Sequence, residues 1–240
     1  MRSRILEVGF DNLTMEQAKQ RFLELLQTDQ PSTIATPNPE MVMLARKDEG
    51  FKEVLNAADL VVPDGIGIVH ASKLTKNPLK QRVAGFDLLM AVFDTDEAKH
   101  YKWYFLGGKP GVAEKAKNRM EQQFGLKIVG CGDGYFDDDD AVINRIAASE
   151  ADVVLVGLGF PRQEIWANTN KYSLGAKLIM GVGGSFDVMS GELRRAPRIF
   201  QKIGLEWLYR LLRQPKRLWR QRVLLKFAII VIIKKIRGAL

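Results

Sequence analysis

The chain has 240 residues, 46% of them hydrophobic, enough for one sizeable core plus an appendage. Its single cysteine, Cys131, excludes an intramolecular disulfide and fits a reducing, cytoplasmic compartment. The net charge of +8 is concentrated in residues 194–240, which carry fourteen Lys and Arg against one acid, Glu206; the remaining 22 cations and 27 acids make residues 1–193 mildly acidic, a pattern that argues against nucleic acid as the partner.

Residues 1–10 contain Arg2 and Arg4 and then meet Glu7 and Asp11, so they lack the apolar stretch of a signal peptide. A first strand is expected over residues 5–10. Thr14 with Gln17 three positions on has capping-box spacing and opens a helix. A second strand, 32–36, breaks at Pro37-Asn38-Pro39 into a helix from about Glu40, and a third, 59–63, ends at Asp64-Gly65 before a helix over 65–74. Further strands are expected over 101–108, 126–132, 152–159 and 177–183, with helices between them. Short apolar runs closed by glycine, each followed by a helical pattern, read as parallel strands with crossover helices. The fold class expected is therefore α/β: an open, mainly parallel, Rossmann-like sheet with helices on both faces. Residues 1–193 would form the catalytic domain and 194–240 a helical appendage.

In the appendage, residues 223–233 form an apolar run interrupted by Lys226. As a helix the run is roughly 16 Å long, against about 30 Å of hydrocarbon in a bilayer, so it is too short to cross. A helix lying on anionic lipid, with Lys234, Lys235 and Arg237 at the headgroups, fits better. A helix buried in a dimer is the alternative. The stripe Ile199, Leu205, Leu208 and Leu212 likewise needs cover from the body, a second copy or lipid.

Ligands of open α/β sheets bind at the carboxyl ends of the strands. Those ends here carry Thr36-Pro37-Asn38, Asp64-Gly65, Gly107-Gly108, Gly132 to Phe136, Gly157 to Glu164 and Gly181 to Asp187. So many glycines permit close backbone approach to a bulky, nucleotide-like ligand. No P-loop and no GxGxxG opening the first βα unit is present. His70, His100 and Cys131 lack zinc spacing. The acidic string 137–140 could hold a divalent ion or charge the start of a helix over 141–149; the second reading is preferred.

The segments Thr36-Pro37-Asn38-Pro39-Glu40, Pro63-Asp64-Gly65, Gly157-Leu158-Gly159 with Pro161 and Gln163-Glu164, Gly181-Val182-Gly183 with Phe186-Asp187, Arg195-Ala196-Pro197, and Gly204 to Leu211 resemble the TagA/WecG/CpsF glycosyltransferase family. The resemblance spans about residues 5–222 and is closest to the members that build the linkage unit of wall teichoic acid. It implies an inverting enzyme that passes N-acetylmannosamine from a UDP donor to a polyprenyl-diphosphate-linked N-acetylglucosamine on the inner face of the cell membrane; the basic appendage makes it peripheral there, and the lack of a metal constellation leaves no cofactor expected. A donor that is the uronic acid of that sugar, and a non-catalytic UDP-sugar-binding protein, remain the alternatives.

Inverting transfer needs a base for the acceptor hydroxyl. Asp64 follows an apolar strand, precedes Gly65 and matches the family's base; its other reading is a helix cap. The resemblance also implies that Thr36 and Asn38 bind sugar groups. Arg82 is a candidate for neutralising diphosphate, or else a surface cation. Gln163 and Glu164 could read uracil or ribose, or serve the start of their helix. Gly107, Gly108 and Gly159 give backbone access, Tyr135 and Phe136 offer rings for a base, and Asp187 completes a nucleotide rim. With no metal constellation expected, cations must steady the leaving group. Arg210, Arg217 and Arg220 are the candidates, with Arg213 on the exposed side of the same helical pattern.

Overall fold

The computed structural model describes residues 2–197, 200, 206, 209 and 218–237, with the helix path alone for 218–221. The chain begins with a hairpin of β1 (Arg2–Ile5) and β2 (Val8–Asp11) and continues through α1 (Met15–Leu25), β3 (Ser32–Ala35), α2 (Pro39–Ala45), α3 (Glu49–Ala57), β4 (Leu60–Val61), α4 (Ile66–Ser72), α5 (Gly85–Phe93) and α6 (Asp96–His100). Then follow β5 (Lys102–Gly107), α7 (Val112–Phe124), β6 (Lys127–Gly132), α8 (Asp139–Ala148), β7 (Val153–Gly157), α9 (Arg162–Asn170), β8 (Leu178–Gly181), α10 (Ser185–Met189) and α11 (Leu218–Ile236).

Six strands form a parallel sheet in the order β4-β3-β8-β7-β5-β6, so the expected α/β architecture is present. One expectation needs correction. Residues 5–10 are not a sheet strand but the turn and flanks of a separate antiparallel hairpin. Leu6 and Glu7 both take positive φ, 49° and 76°, as a two-residue hairpin turn requires, without the Asn-Gly that usually signals one. The capping box does form: Gln17 N donates to Thr14 Oγ1 at 3.2 Å and Thr14 N to Gln17 Oε1 at 3.0 Å.

Alternate side chains of the sheet point to its two faces and into three core clusters, as the pleat allows. Ile34, Leu60, Phe105, Leu155 and Met180 pack against α1, α5, α7 and α10. Ala35 and Val61 face α2, α3, α4 and the hairpin, while Tyr104, Val154 and Ile179 face α8 and α9. The helix after β3 therefore leaves to one side of the sheet and the helix after β8 to the other, although the two strands are paired neighbours. That divergence opens a crevice at their carboxyl ends, the place where ligands enter such sheets.

Helix α11 is packed on the body. Phe227 and Val231 are 4% and 2% exposed within the core of α2, α3 and α4, and burying each contributes about 2 kcal/mol. Lys234 adds an ion pair with Glu7 of the hairpin turn at 3.5 Å. The side of α11 facing away carries exposed Leu225, Ile229, Ile233 and Ile236. No helix among the described residues is long and apolar enough to cross a membrane. Ile199, Leu205, Leu208, Leu212 and Arg213 lie outside the described residues.

Candidate active site

A cavity of about 760 Å³ occupies the crevice beyond β3 and β8. Its polar wall includes Thr36, Asn38, Asp64, Arg82, Gln163 and Glu206, and its apolar wall is built largely from α4 and α11.

Three local features bring the polar groups together. Asp64 N donates to Pro37 O at 3.2 Å, which ties the loop after β4 to the loop after β3 and sets Asp64 beside Thr36 and Asn38. Gly65, at φ 107°, makes the close approach possible, because a β-carbon there would stand 3.3 Å from Pro39 Cδ. Val83 N donates to Pro63 O at 3.1 Å and thereby delivers Arg82 to the same wall. Helix α4 is capped by Gly65 with no side-chain capping bond, so Asp64 is not the helix cap of the alternative reading. Asn38 does cap its helix: Oδ1 accepts from Met41 N at 3.1 Å, and the amide nitrogen is the group it can offer a ligand.

Arg82 is the electrostatic centre of the site. Its Nη2 donates to Glu206 Oε2 at 2.7 Å and to Asp64 Oδ1 at 3.3 Å. Glu206 Oε1 in turn accepts from Arg195 Nε at 3.1 Å, and Arg195 grips Asp87 through both terminal nitrogens at 2.6 and 2.9 Å. Burial penalises charge on Arg82, yet the carboxylates of Asp64 and Glu206 outweigh it and raise the guanidinium's pKa above its ordinary value. Burial likewise pushes the Glu206 carboxyl up, and Arg82 and Arg195 more than reverse that, so it stays below the usual glutamate value. Glu206, Arg195 and Asp87 were not among the residues selected from the sequence. Their signals were the solitary acid in a run of fourteen cations and the Arg-Ala-Pro segment just before it.

Gln163 pins two loops at once. Its Oε1 accepts from Gly159 N at 3.1 Å and Gly183 N at 3.0 Å, while Nε2 donates to Glu164 Oε1 at 2.6 Å. Glu164 itself lies beneath the cavity, 6% exposed against Gly181, and does not line it. Its Oε2 is buried without a hydrogen bond, and burial, only partly offset by Gln163, pushes its carboxyl up to about 7.

Gly107 ends β5 and Gly108 follows it, Tyr135 and Phe136 follow β6, and Asp187 follows β8; none of the five lines the cavity, whereas Gly159, after β7, does. A side chain at Gly107 would collide with the Gly157 carbonyl, and Gly108 O accepts from Gly134 N at 2.9 Å, so these glycines let neighbouring loops close on one another. Tyr135 presents a ring 71% exposed. Phe136 has Arg162 stacked 4.7 Å from its centroid and meets Trp166 edge-on. Asp187 is half-buried on α10, near Gly184. The acidic string begins α8: Asp138 Oδ1 accepts from Ala141 N, and Asp139 accepts from the Trp166 indole. Arg210 and Arg217 lie outside the described residues, and Arg220 falls on α11 where the helix path alone is described.

The crevice thus brings a carboxylate that can accept a proton, Asp64, together with a half-buried, carboxylate-paired guanidinium, Arg82, on one cavity wall. Comparison with known proteins agrees with the resemblance seen in the sequence. The model of the "Glycosyl transferase WecG/TagA/CpsF family" matches residues 3–239. A Bacillus spizizenii protein named N-acetylglucosaminyldiphosphoundecaprenol N-acetyl-beta-D-mannosaminyltransferase is 38% identical over 207 residues, 86% of this chain and 80% of its own. Proteins of the same name from Staphylococcus aureus strains MRSA252 and MW2 are 36% identical over 219 residues, 90% of this chain and 86% of theirs.

Proposed function

The chain belongs to the WecG/TagA/CpsF glycosyltransferase family, and on that footing we propose that it transfers N-acetylmannosamine from UDP-N-acetylmannosamine to N-acetylglucosaminyl-diphospho-undecaprenol with inversion at the anomeric carbon. The observation that carries the reading is Asp64, set at the crevice between diverging helices, beside Asn38 and within 3.3 Å of Arg82. In this reading residues 1–193 are the catalytic body and 194–240 the appendage.

Asp64 takes the proton of the acceptor sugar's hydroxyl as that oxygen attacks the anomeric carbon of the donor. The bond from that carbon to the β-phosphate oxygen breaks, and UDP leaves with the electron pair. Arg82 faces the diphosphate, and Arg210, Arg217 and Arg220 of the appendage complete the positive field around it. Thr36 and the Asn38 amide hold sugar hydroxyls or the acetamido group. Gln163 and the backbone at Gly159 approach the donor, with Glu164 supporting Gln163 from below. Gly107, Gly108, Tyr135, Phe136 and Asp187 border the nucleotide, and Tyr135 supplies the stacking ring.

The enzyme works at the inner membrane face. The exposed apolar side of α11, with Lys226, Lys235 and Arg237, lies against anionic lipid. The test is incubation with UDP-N-acetylmannosamine and a diphospholipid carrying N-acetylglucosamine, followed by mass analysis. A product heavier by one N-acetylhexosamine supports the reading, and an unaltered acceptor refutes it.

A further inference from the structure

The cavity is polar at one end only. Beyond Asp64 and Arg82 its wall is taken over by α11, whose Leu224, Phe227, Ala228, Val231 and Ile232 all line it; Phe227 and Val231 are buried at its base, and Leu224, Ala228 and Ile232 carry the open surface. Those positions follow the i, i+3, i+4, i+7, i+8 spacing of a single helix face, a stripe of roughly 12 Å. Ala71 of α4 and Leu74, just beyond that helix, line the cavity as well. Ile232 lines the cavity and is at the same time 52% exposed, next to exposed Ile229, Ile233 and Ile236. The apolar end of the cavity is thus continuous with the apolar outer side of α11.

A hydrated sugar nucleotide has no use for such a wall, because apolar surface left facing water brings no gain. An amphiphile with an anionic head and a hydrocarbon chain matches both ends: the head reaches Arg82, and the chain runs along α11 to the mouth at Ile232. We propose that the groove between α4 and α11 is a binding site for the first isoprene units of the lipid diphosphate acceptor, which pass from it directly into the surrounding lipid. The inference rests on the lipid-linked acceptor proposed above. It assigns α11 a substrate-binding role beside that of surface anchor, and it makes the enzyme read the lipid as well as the sugar.

The experiment is isothermal titration of the full chain with farnesyl diphosphate and, separately, with inorganic diphosphate. The head is common to both probes, so their affinity ratio reports the chain alone. Wild-type protein binds farnesyl diphosphate at least about a hundredfold more tightly, given that each buried methylene is worth about 0.8 kcal/mol, or roughly fourfold. Ala228→Trp, which fills the groove from an exposed helix position, and Ile232→Asn at its mouth each cut that ratio at least tenfold. Ile229→Asn, on the outer side and not lining the cavity, keeps the ratio. Equal affinities in the wild type, or a ratio that Ala228→Trp and Ile232→Asn leave intact, would overturn the proposal. So would an equal loss in Ile229→Asn, which would mark the preference as general stickiness of α11. The readout involves no sugar transfer: a preserved farnesyl preference in a protein that transfers no sugar would strike the function proposed above and leave this site standing.

Discussion

Arg82 Nη2 stands 2.7 Å from Glu206 Oε2, and the same nitrogen reaches Asp64 Oδ1 at 3.3 Å, so one guanidinium joins the candidate base to the only acid of the cationic tail. Glu206 also holds Arg195, and its side chain is largely buried. Removing it takes one of two carboxylate partners from each of two half-buried cations, Arg82 and Arg195, which keep Asp64 and Asp87. Glu206→Ala is expected to lose about 3 kcal/mol near neutral pH and to lower the unfolding midpoint by roughly 6 °C or more. The contribution has a defined pH window. Because the folded-state value is depressed, it is full above the ordinary glutamate value and fades as pH falls through the lowered one. Thermal unfolding should therefore show the gap between wild type and variant narrowing as pH falls below the ordinary glutamate value.

Glu164 has the opposite sign. Its carboxyl is pushed from 4.5 up to about 7, so the native state holds a proton that the unfolded chain has already released between those values. Stability therefore declines as pH rises from about 4.5 to about 7, by an amount on the order of 3 kcal/mol, and the penalty is complete above that. Glu164→Gln imitates the protonated form and still accepts from Gln163. It should be more stable than wild type at about pH 8 and show a flatter stability curve from there down to about pH 5, as measured by urea unfolding.

Gln163 is a clamp between the loops after β7 and β8. Gln163→Leu keeps the bulk but abandons the N–H groups of Gly159 and Gly183, at about 1–3 kcal/mol. Transfer should fall by roughly tenfold to a hundredfold because the floor of the cavity loosens. Steady-state kinetics with donor and acceptor varied separately would locate the loss, which is expected mainly on the donor side.

The outer face of α11 predicts salt-sensitive lipid binding. Co-sedimentation with anionic vesicles should weaken as salt rises, and with neutral vesicles it should be slight. Ile236→Asn, at the most exposed of the outer apolar positions, should reduce the vesicle-bound fraction several-fold.

The sheet was legible because its strands are apolar runs ended by glycine, a pattern that survives without tertiary context: six of the seven expected strands lie in the parallel sheet. The hairpin was not, since Leu6 and Glu7 adopt a turn conformation that their side chains do not advertise and that contacts such as Glu7 with Lys52 and Lys234 accompany. The site divides the same way. Asp64, Thr36 and Asn38 sit at strand ends, where local sequence announces a ligand loop. The partnership of Arg82 with Glu206 joins residues 124 positions apart, and no local pattern encodes it. Burial decided the place of Glu164, because a polar residue at a helix start looks the same in sequence whether it faces a cavity or lies beneath one.

Single-turnover transfer by Asp64→Asn decides whether Asp64 removes the acceptor's proton during sugar transfer. Asn keeps the size of the side chain and the hydrogen-bonding carbonyl facing Arg82 but cannot act as a base. The rate is expected to fall by about a thousandfold, with UDP affinity within a factor of a few of wild type and the fold intact by thermal unfolding. A variant that transfers N-acetylmannosamine to the lipid acceptor at the wild-type rate would show that Asp64 is not the base.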